Sequence, residues 1–418
     1  IPEALVAGLL GLLLAPGGPL PLLPVPVLEL WAGLPLVLLT LVFGSLMLSK
    51  PLPQLGSLWR PVSGQVSLAL VLAFGQYVVG GLAVLLVLQP LLWVSPVMAC
   101  LIELAYEGGH GSAAAMGPSY AALGFPGGSD LGLALATVGL LSSTLVGGLV
   151  VVLARRQGWL LATSPTKPIQ GEGASAAASP AGPAAWAVNL ALVGVAVLVG
   201  ELLLLALRAL TVPLGGGVAA VAQALPVFPL AILGSLFVRW VLERSGHSQW
   251  ASAPIQSELS TLAADLLITA ATAGLNLKLL QADWLPLSVL ALGGLTWNLA
   301  VVLLLAPRVL PADWFERAVI EFGQATGVAA SGLLLLRMAD PEDQSNALSA
   351  FSIKKLLLQP FLAGGVTTVV ARLAAAGGGV PVWVGVCLGL VLLAGGGGAS
   401  VGWGRRTAVA FGSIVGPH

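Results

Sequence analysis

Charge is what this chain has least of. It carries 17 Lys+Arg and 17 Asp+Glu in 418 residues, or 8 %, where a soluble domain carries about 25 %. With 57 % hydrophobic residues, that deficit excludes a soluble globular protein. It also excludes a disordered one, which needs low hydrophobicity and high charge. The formal net charge is zero, so the electrostatic footprint of a nucleic-acid partner is missing. Cysteine is scarce too: Cys100 and Cys387 both lie in apolar runs, which excludes a disulfide framework and a CxxC metal site. The three histidines, His110, His247 and His418, are scattered, so no transition-metal site is expected.

What fills the chain instead is uncharged sequence, with a mean hydropathy of +1.00. No charge occurs in 4–28, 30–49, 61–102, 131–154, 209–238, 284–307 or 373–404. About 20 apolar residues cross a bilayer as a helix. Strands of a membrane barrel would alternate over about ten residues, and these runs do not. The fold class expected is therefore an all-α polytopic membrane protein. A short helix is expected near 2–15. Spans follow at 28–48, 64–93, 129–154, 184–212, 224–243, 259–280, 284–306, 347–372 and 379–402. The chain begins at Ile1 rather than Met, and a further helix is expected ahead of it.

Two stretches do not fit simple spans. Both 95–120 and 314–338 are apolar, rich in small residues and interrupted by glycine. That pattern suggests helical hairpins that dip into the membrane and turn back. Irregular backbone at that depth survives only where it is buried in protein or lines a watery cavity. Between the two, 155–183 is rich in Ala, Ser, Pro and Gly and reads as a flexible linker. Its Arg155, Arg156 and Lys167 against one Glu172 place it on the cytoplasmic side. The linker divides the chain into 1–154 and 184–418, whose element orders look alike. Gly108 pairs with Gly323 and Pro2 with Pro226 in this reading, and an odd number of crossings would make the halves inverted repeats. Paired interrupted segments in such repeats point to a transporter's binding site.

Candidate chemistry follows from these segments. The stretch Tyr106–Met116 contains Gly108, Gly109, His110, Gly111 and Ser112. Broken helices there would offer N–H groups to an anion and carbonyls to Na⁺. The plainer alternative is a patch where helices pack closely through small residues. GGHG does not fit the phosphate-loop spacing. Asp265 and Thr269 share a helix face, with Thr272 further along. An intramembrane carboxylate is a functional hypothesis by default, and a carboxylate with hydroxyls suits a hard cation such as Na⁺. Alternatively, Asp265 sits among headgroups. Arg337 could hold a substrate carboxylate or cap a helix beside Asp340. Glu103 and Glu107 flank the first hairpin, where they could join a cation site or sit at the water surface, the preferred reading. Asp313–Glu321 (DWFERAVIE) reads as an interfacial stretch, and Lys354 and Lys355 as headgroup or loop charges.

IPEALVAGLLGLLL, followed some 100 residues later by EGGHGSAAAM, resembles the bacterial sodium/glutamate symporter family. Its first hairpin carries a GGxGxG-type signature. Gly108, Gly109, His110 and Gly111 stand in place, but Ala113 replaces the last glycine and Ser112 a common threonine. The second hairpin, Gly323–Pro341, is similar to a TG…SGLLLLR…DP form of one branch. It departs from the GFGLG form of the better-known glutamate carriers. The resemblance implies two inverted repeats with opposed re-entrant hairpins and an elevator-type homodimer in the bacterial cytoplasmic membrane. It implies Na⁺-driven uptake of glutamate or a related small organic anion, with Na⁺ as coupling ion and no cofactor. Substrate contacts would come from Gly108, Gly109, His110, Gly111, Ser112, Thr326, Gly327, Ser331 and Arg337. Na⁺ would be held by Asp265, Thr269, Thr272, Ser112 and Thr326. A passive channel, or a carrier for another anion or amino acid, is the alternative. An intramembrane hydrolase would need a nucleophile and base that neither hairpin supplies, so no catalytic residue is expected.

Overall fold

The computed structural model describes residues 3–50, 55–161 and 182–412. Most of the linker expected at 155–183 lies outside the described residues. Every regular element among those described is helical. The first half contains α1 (Glu3–Leu14), α2 (Val25–Ser45), α3 (Leu55–Ala83) and α4 (Gln89–Leu92). A π-helical turn, Val84–Leu88, joins α3 to α4 without a break. Three short helices follow: α5 (Leu101–Tyr106), α6 (Gly109–Ala115) and α7 (Gly117–Ala122). The half ends in α8 (Gly128–Gln157). Gly158 stops α8 in the left-handed conformation (φ 66°), and Arg155 and Arg156 in its last turn complement the helix dipole.

The second half opens with α9 (Pro183–Thr211), α10 (Gly216–Ala224), α11 (Phe228–Arg244), α12 (Ala253–Ala273) and α13 (Leu277–Ala282). Then come α14 (Trp284–Ala300), a second π-helical turn (Val301–Leu305) and α15 (Ala306–Val309). The chain continues through α16 (Trp314–Ala339), α17 (Ala347–Leu358), α18 (Val366–Gly377) and α19 (Val380–Gly412).

Seven helices among the described residues are long and apolar enough to cross a membrane: Val25–Ser45, Val62–Leu92, Gly128–Gln157, Pro183–Leu214, Trp284–Val309, Trp314–Ala339 and Val380–Gly397. The pair α10–α11, bent by 77°, makes an eighth if it is one span. Three expected spans look different. The stretch 259–280 falls on α12, which runs from Ala253 only to Ala273 and is not among these helices, and on α13. The stretch 347–372 is divided into α17 and α18, because Ala363 (φ 57°) and Gly364 (φ 95°) turn the backbone left-handed between them. The stretch 224–243 starts at Phe228, after the bend at 225–227.

Leucines and valines of α9 and α19 point outward, among them Leu198, Leu202, Leu210, Val382, Leu392 and Leu393. An outer surface of that kind suits a hydrocarbon solvent. The interior is built from α3, α5, α8, α14 and α16. The π turns begin at 84 and 301, 217 residues apart, and each is followed by a proline at the same offset, Pro90 and Pro307. The sequence reading paired Gly108 with Gly323; the backbone departs from helical geometry at Gly109 in the first half and at Gly327 and Val328 in the second.

Candidate functional site

Each half interrupts a helix deep in this interior. In the first, α5 gives way at Glu107–Gly108, and Gly109, the first residue of α6, adopts φ 69°. Only glycine takes that conformation without steric cost. In the second, α16 is broken inside its length at Gly327 (φ −156°, ψ 40°) and Val328 (φ 69°, ψ 169°). A β-branched residue at positive φ is strained backbone that its surroundings must hold. The two breaks touch: a methyl added to Gly109 would overlap Val328 Cγ1. On its other side the second break lies against α8, where a methyl on Gly327 would overlap Ser143 Oγ.

Side-chain amides from the spans crossing behind it hold the second break. Gln76 on α3 donates to the Ala325 carbonyl (2.7 Å) and to Asn298 Oδ1 (3.1 Å). Asn298 on α14 donates to the same carbonyl (2.8 Å) and to Thr326 Oγ1 (3.0 Å). Gln324 Nε2 reaches the Glu107 carbonyl of the first break at 3.5 Å. Three acceptor oxygens around the two breaks are buried without a partner: Gln76 Oε1, Gln324 Oε1 and Glu107 Oε2. Buried acceptors are normally satisfied. Oxygens left unpartnered beside broken helices are the kind of ligand a hard cation takes.

Two glutamates sit at matching places, 103 and 321, on the limbs leading into the breaks. Glu103 (0 % exposed) accepts from Tyr77 Oη (2.5 Å), the Ala363 amide (2.8 Å) and Thr368 Oγ1 (3.0 Å). Ser112, on the limb leaving the first break, donates to the Ala363 carbonyl (2.9 Å). The first broken segment therefore holds both the N–H and the carbonyl of one residue, Ala363, in the loop between α17 and α18. Glu321 (1 % exposed) accepts from Gln65 Nε2 (2.7 Å) and pairs with Lys354 Nζ on α17 (2.8 Å).

These positions correct the sequence reading. Glu103 and Glu107 are buried, not surface charges. Lys354 is buried, not a headgroup charge. Asp313–Glu321 is interior as well: Asp313 pairs with Arg317 (2.9 Å) and Glu316 accepts from the Leu161 amide (2.7 Å). Glu103, Glu316 and Lys354 can be buried because distant elements supply partners that nothing local in the sequence reports, whereas Asp313 and Arg317 pair within one helical turn.

Several predicted residues do gather at the breaks. Gly108 is half-buried; Gly109, Gly111, Ser112, Thr326, Gly327 and Ser331 are buried. The Ser331 hydroxyl donates to the Gly327 carbonyl (2.6 Å). His110 is buried with Nε2 3.0 Å from Thr137 Oγ1. Others do not gather there. Asp265 is exposed on α12. Thr269 is half-buried and donates to the Ala4 carbonyl (3.1 Å). Thr272 is buried against Gly8 of α1, its hydroxyl unpartnered. Arg337 is exposed. Asn298, with Asn276, stands out in the sequence as a weaker polar candidate on an apolar helix; sequence reasoning missed Gln76, Glu321, Lys354 and Arg372 as parts of the site. An isolated amide or charge inside an apolar run was the available signal.

Multiple apolar spans around touching helix breaks, lined by buried amides and carboxylates, define a multi-pass membrane protein with an interior polar site. The chain belongs to the sodium/glutamate symporter family, whose model matches residues 1–323. That is a family of transporters and not of enzymes, and membership implies Na⁺ as the coupling ion. The match ends in α16, just before its break, so Thr326 and everything after it fall outside the matched segment. Comparison with curated proteins and with solved structures returned no match.

Proposed function

We propose that this protein is a secondary active transporter that couples an inward Na⁺ gradient to the uptake of glutamate or a related small organic anion. The observation that carries the reading is the contact between the Gly109 and Val328 breaks, with unpartnered acceptor oxygens around it. Na⁺ prefers oxygen ligands, and the Gln76, Gln324 and Glu107 oxygens supply them from α3 and from both broken segments. Membership of the family supports the choice of ion and of glutamate.

The two halves form inverted repeats in this reading. Three features support it: the π turns and their prolines recur at one offset, glutamates recur at 103 and 321, and breaks recur at 109 and 327. The packing also exchanges, since α1 lies on α12 while α2 lies on α11. The broken segments would be re-entrant hairpins, carried with their supports by a moving body of an elevator-type homodimer.

Cation binding would satisfy oxygens that also brace the solute site, so each ligand raises the affinity of the other equally. The test is initial uptake of labelled L-glutamate into proteoliposomes with an inward Na⁺ gradient and with K⁺ in its place. Uptake well above the K⁺ control, lost when an ionophore collapses the gradient, is expected. Equal uptake in the two conditions refutes the coupling.

A further inference from the structure

We infer that Arg372 and Tyr120 form the subsite that receives a carboxylate group of the transported solute. The inference rests on the transporter reading above and names the residues that would recognise its anionic cargo.

Among the described residues, the Arg and Lys residues less than a tenth exposed are paired with carboxylates, with one exception. Arg239 bonds Glu243 (2.7 Å), Arg317 bonds Asp313 (2.9 Å) and Lys354 bonds Glu321 (2.8 Å). Arg372 on α18 is 0 % exposed and has no carboxylate. It donates to the Met116 thioether and to the Ala224 carbonyl (3.2 Å), and its Nε has no partner. A thioether is a weak acceptor, and a buried guanidinium without an anion is costly in a bilayer-embedded protein.

Two mundane explanations fall short. Arg372 could serve as the cap of α10, whose last residue is Ala224. Arg208 already donates to the Ala222, Gln223 and Leu225 carbonyls at that helix end. Glu103 could be its counter-ion, since Thr368, one turn before Arg372, touches that carboxylate. Its two oxygens are already occupied by Tyr77, Ala363 and Thr368.

Tyr120 supplies the second observation. It is 0 % exposed, and its hydroxyl has no partner. Its amide bonds the Met116 carbonyl (3.1 Å), so it stands one helical turn beyond the residue that touches Arg372. The limb leaving the first break thus carries an unsatisfied phenol close to an unsatisfied guanidinium fork. A guanidinium takes a carboxylate through two parallel hydrogen bonds, and a phenol donates a third.

Isothermal titration calorimetry on the full chain in detergent, with Na⁺ present, tests this. The probes are L-glutamate, L-aspartate, succinate and L-glutamine. At least one carboxylate is expected to bind the unaltered chain. Arg372→Gln should weaken it roughly 30-fold or more, Arg372→Lys about 10-fold because the fork is lost, and Tyr120→Phe about 3- to 10-fold. If the arginine variants fail to fold, Tyr120→Phe decides. Unchanged affinity in folded Arg372→Lys or in Tyr120→Phe overturns the proposal, and so does an unaltered chain that binds none of the probes. Failure of the transport reading would look different: carboxylate binding that needs Arg372, with uptake indifferent to a Na⁺ gradient.

Discussion

Replacing Lys354 by methionine would test whether the second broken segment is held by its ion pair. Lys354 Nζ lies 2.8 Å from Glu321 Oε2, with the two side chains 4 % and 1 % exposed. Without the ammonium, the Glu321 carboxylate keeps only Gln65 as a donor. Breaking one partner of a buried pair costs roughly 3–5 kcal/mol, whereas replacing both by neutral groups is often close to neutral. Lys354→Met should therefore destabilise the protein by about 3–5 kcal/mol. The double variant Lys354→Met/Glu321→Gln should recover more than about half of that loss. Denaturant unfolding in mixed micelles, followed by tryptophan fluorescence, gives the stabilities and the coupling between the sites. A single variant within about 1 kcal/mol of wild type, or a double variant at the sum of the singles, would refute the reasoning.

Three further outcomes follow from the geometry. Gly109→Ala combines a left-handed residue (φ 69°) with overlap against Val328 Cγ1; initial uptake should fall at least about 10-fold if a 1 Å displacement at the site costs up to 100-fold, and an unchanged rate would contradict the contact. Asn298→Ala removes two hydrogen bonds at the second break, so stability should fall by about 1–3 kcal/mol and the Na⁺ concentration giving half-maximal uptake should rise. Asp265→Asn changes an exposed side chain, so stability should stay within about 0.5 kcal/mol; a lost Na⁺ dependence in uptake assays would return the carboxylate to the ion site.

Much of the architecture was legible because lipid leaves the backbone few choices. Uncharged runs near 20 residues long had to be helices, and most of the expected spans coincide with observed ones. The two interrupted segments also stood out, since glycine and small residues disturb an apolar run in a way composition reveals. The site was less legible. Gly109 was visible in GGHG, but the second break falls at Gly327–Val328, where a valine takes the strained conformation only because α8 and α5–α6 surround it. Asp265 attracted attention as a carboxylate in an apolar helix, yet α12 lies at the flank with that position facing out. Glu103 and Lys354 looked like edge charges, and Arg372 was passed over, for the opposite reason. Their burial depends on contacts 260, 33 and 256 residues away in sequence, with Ala363, Glu321 and Met116.

The two glutamates ahead of the breaks, finally, are neutralised in unlike ways. Glu103 is met by a phenol, an amide and a hydroxyl, and Glu321 by an ammonium and an amide. Yet both sets of partners draw on one stretch of chain: Lys354 belongs to α17, Ala363 to the loop after it and Thr368 to α18. Each broken segment is therefore tied to 347–377 as well as to its neighbour at the Gly109–Val328 contact. Shifting one segment alone would strand a carboxylate in a low-dielectric interior, a penalty of several kcal/mol. Moving both together with α17, α18 and α3, which carries Tyr77 and Gln65, strands neither. In the proposed transport cycle, these pieces must travel as one body, and any hinge must lie outside them.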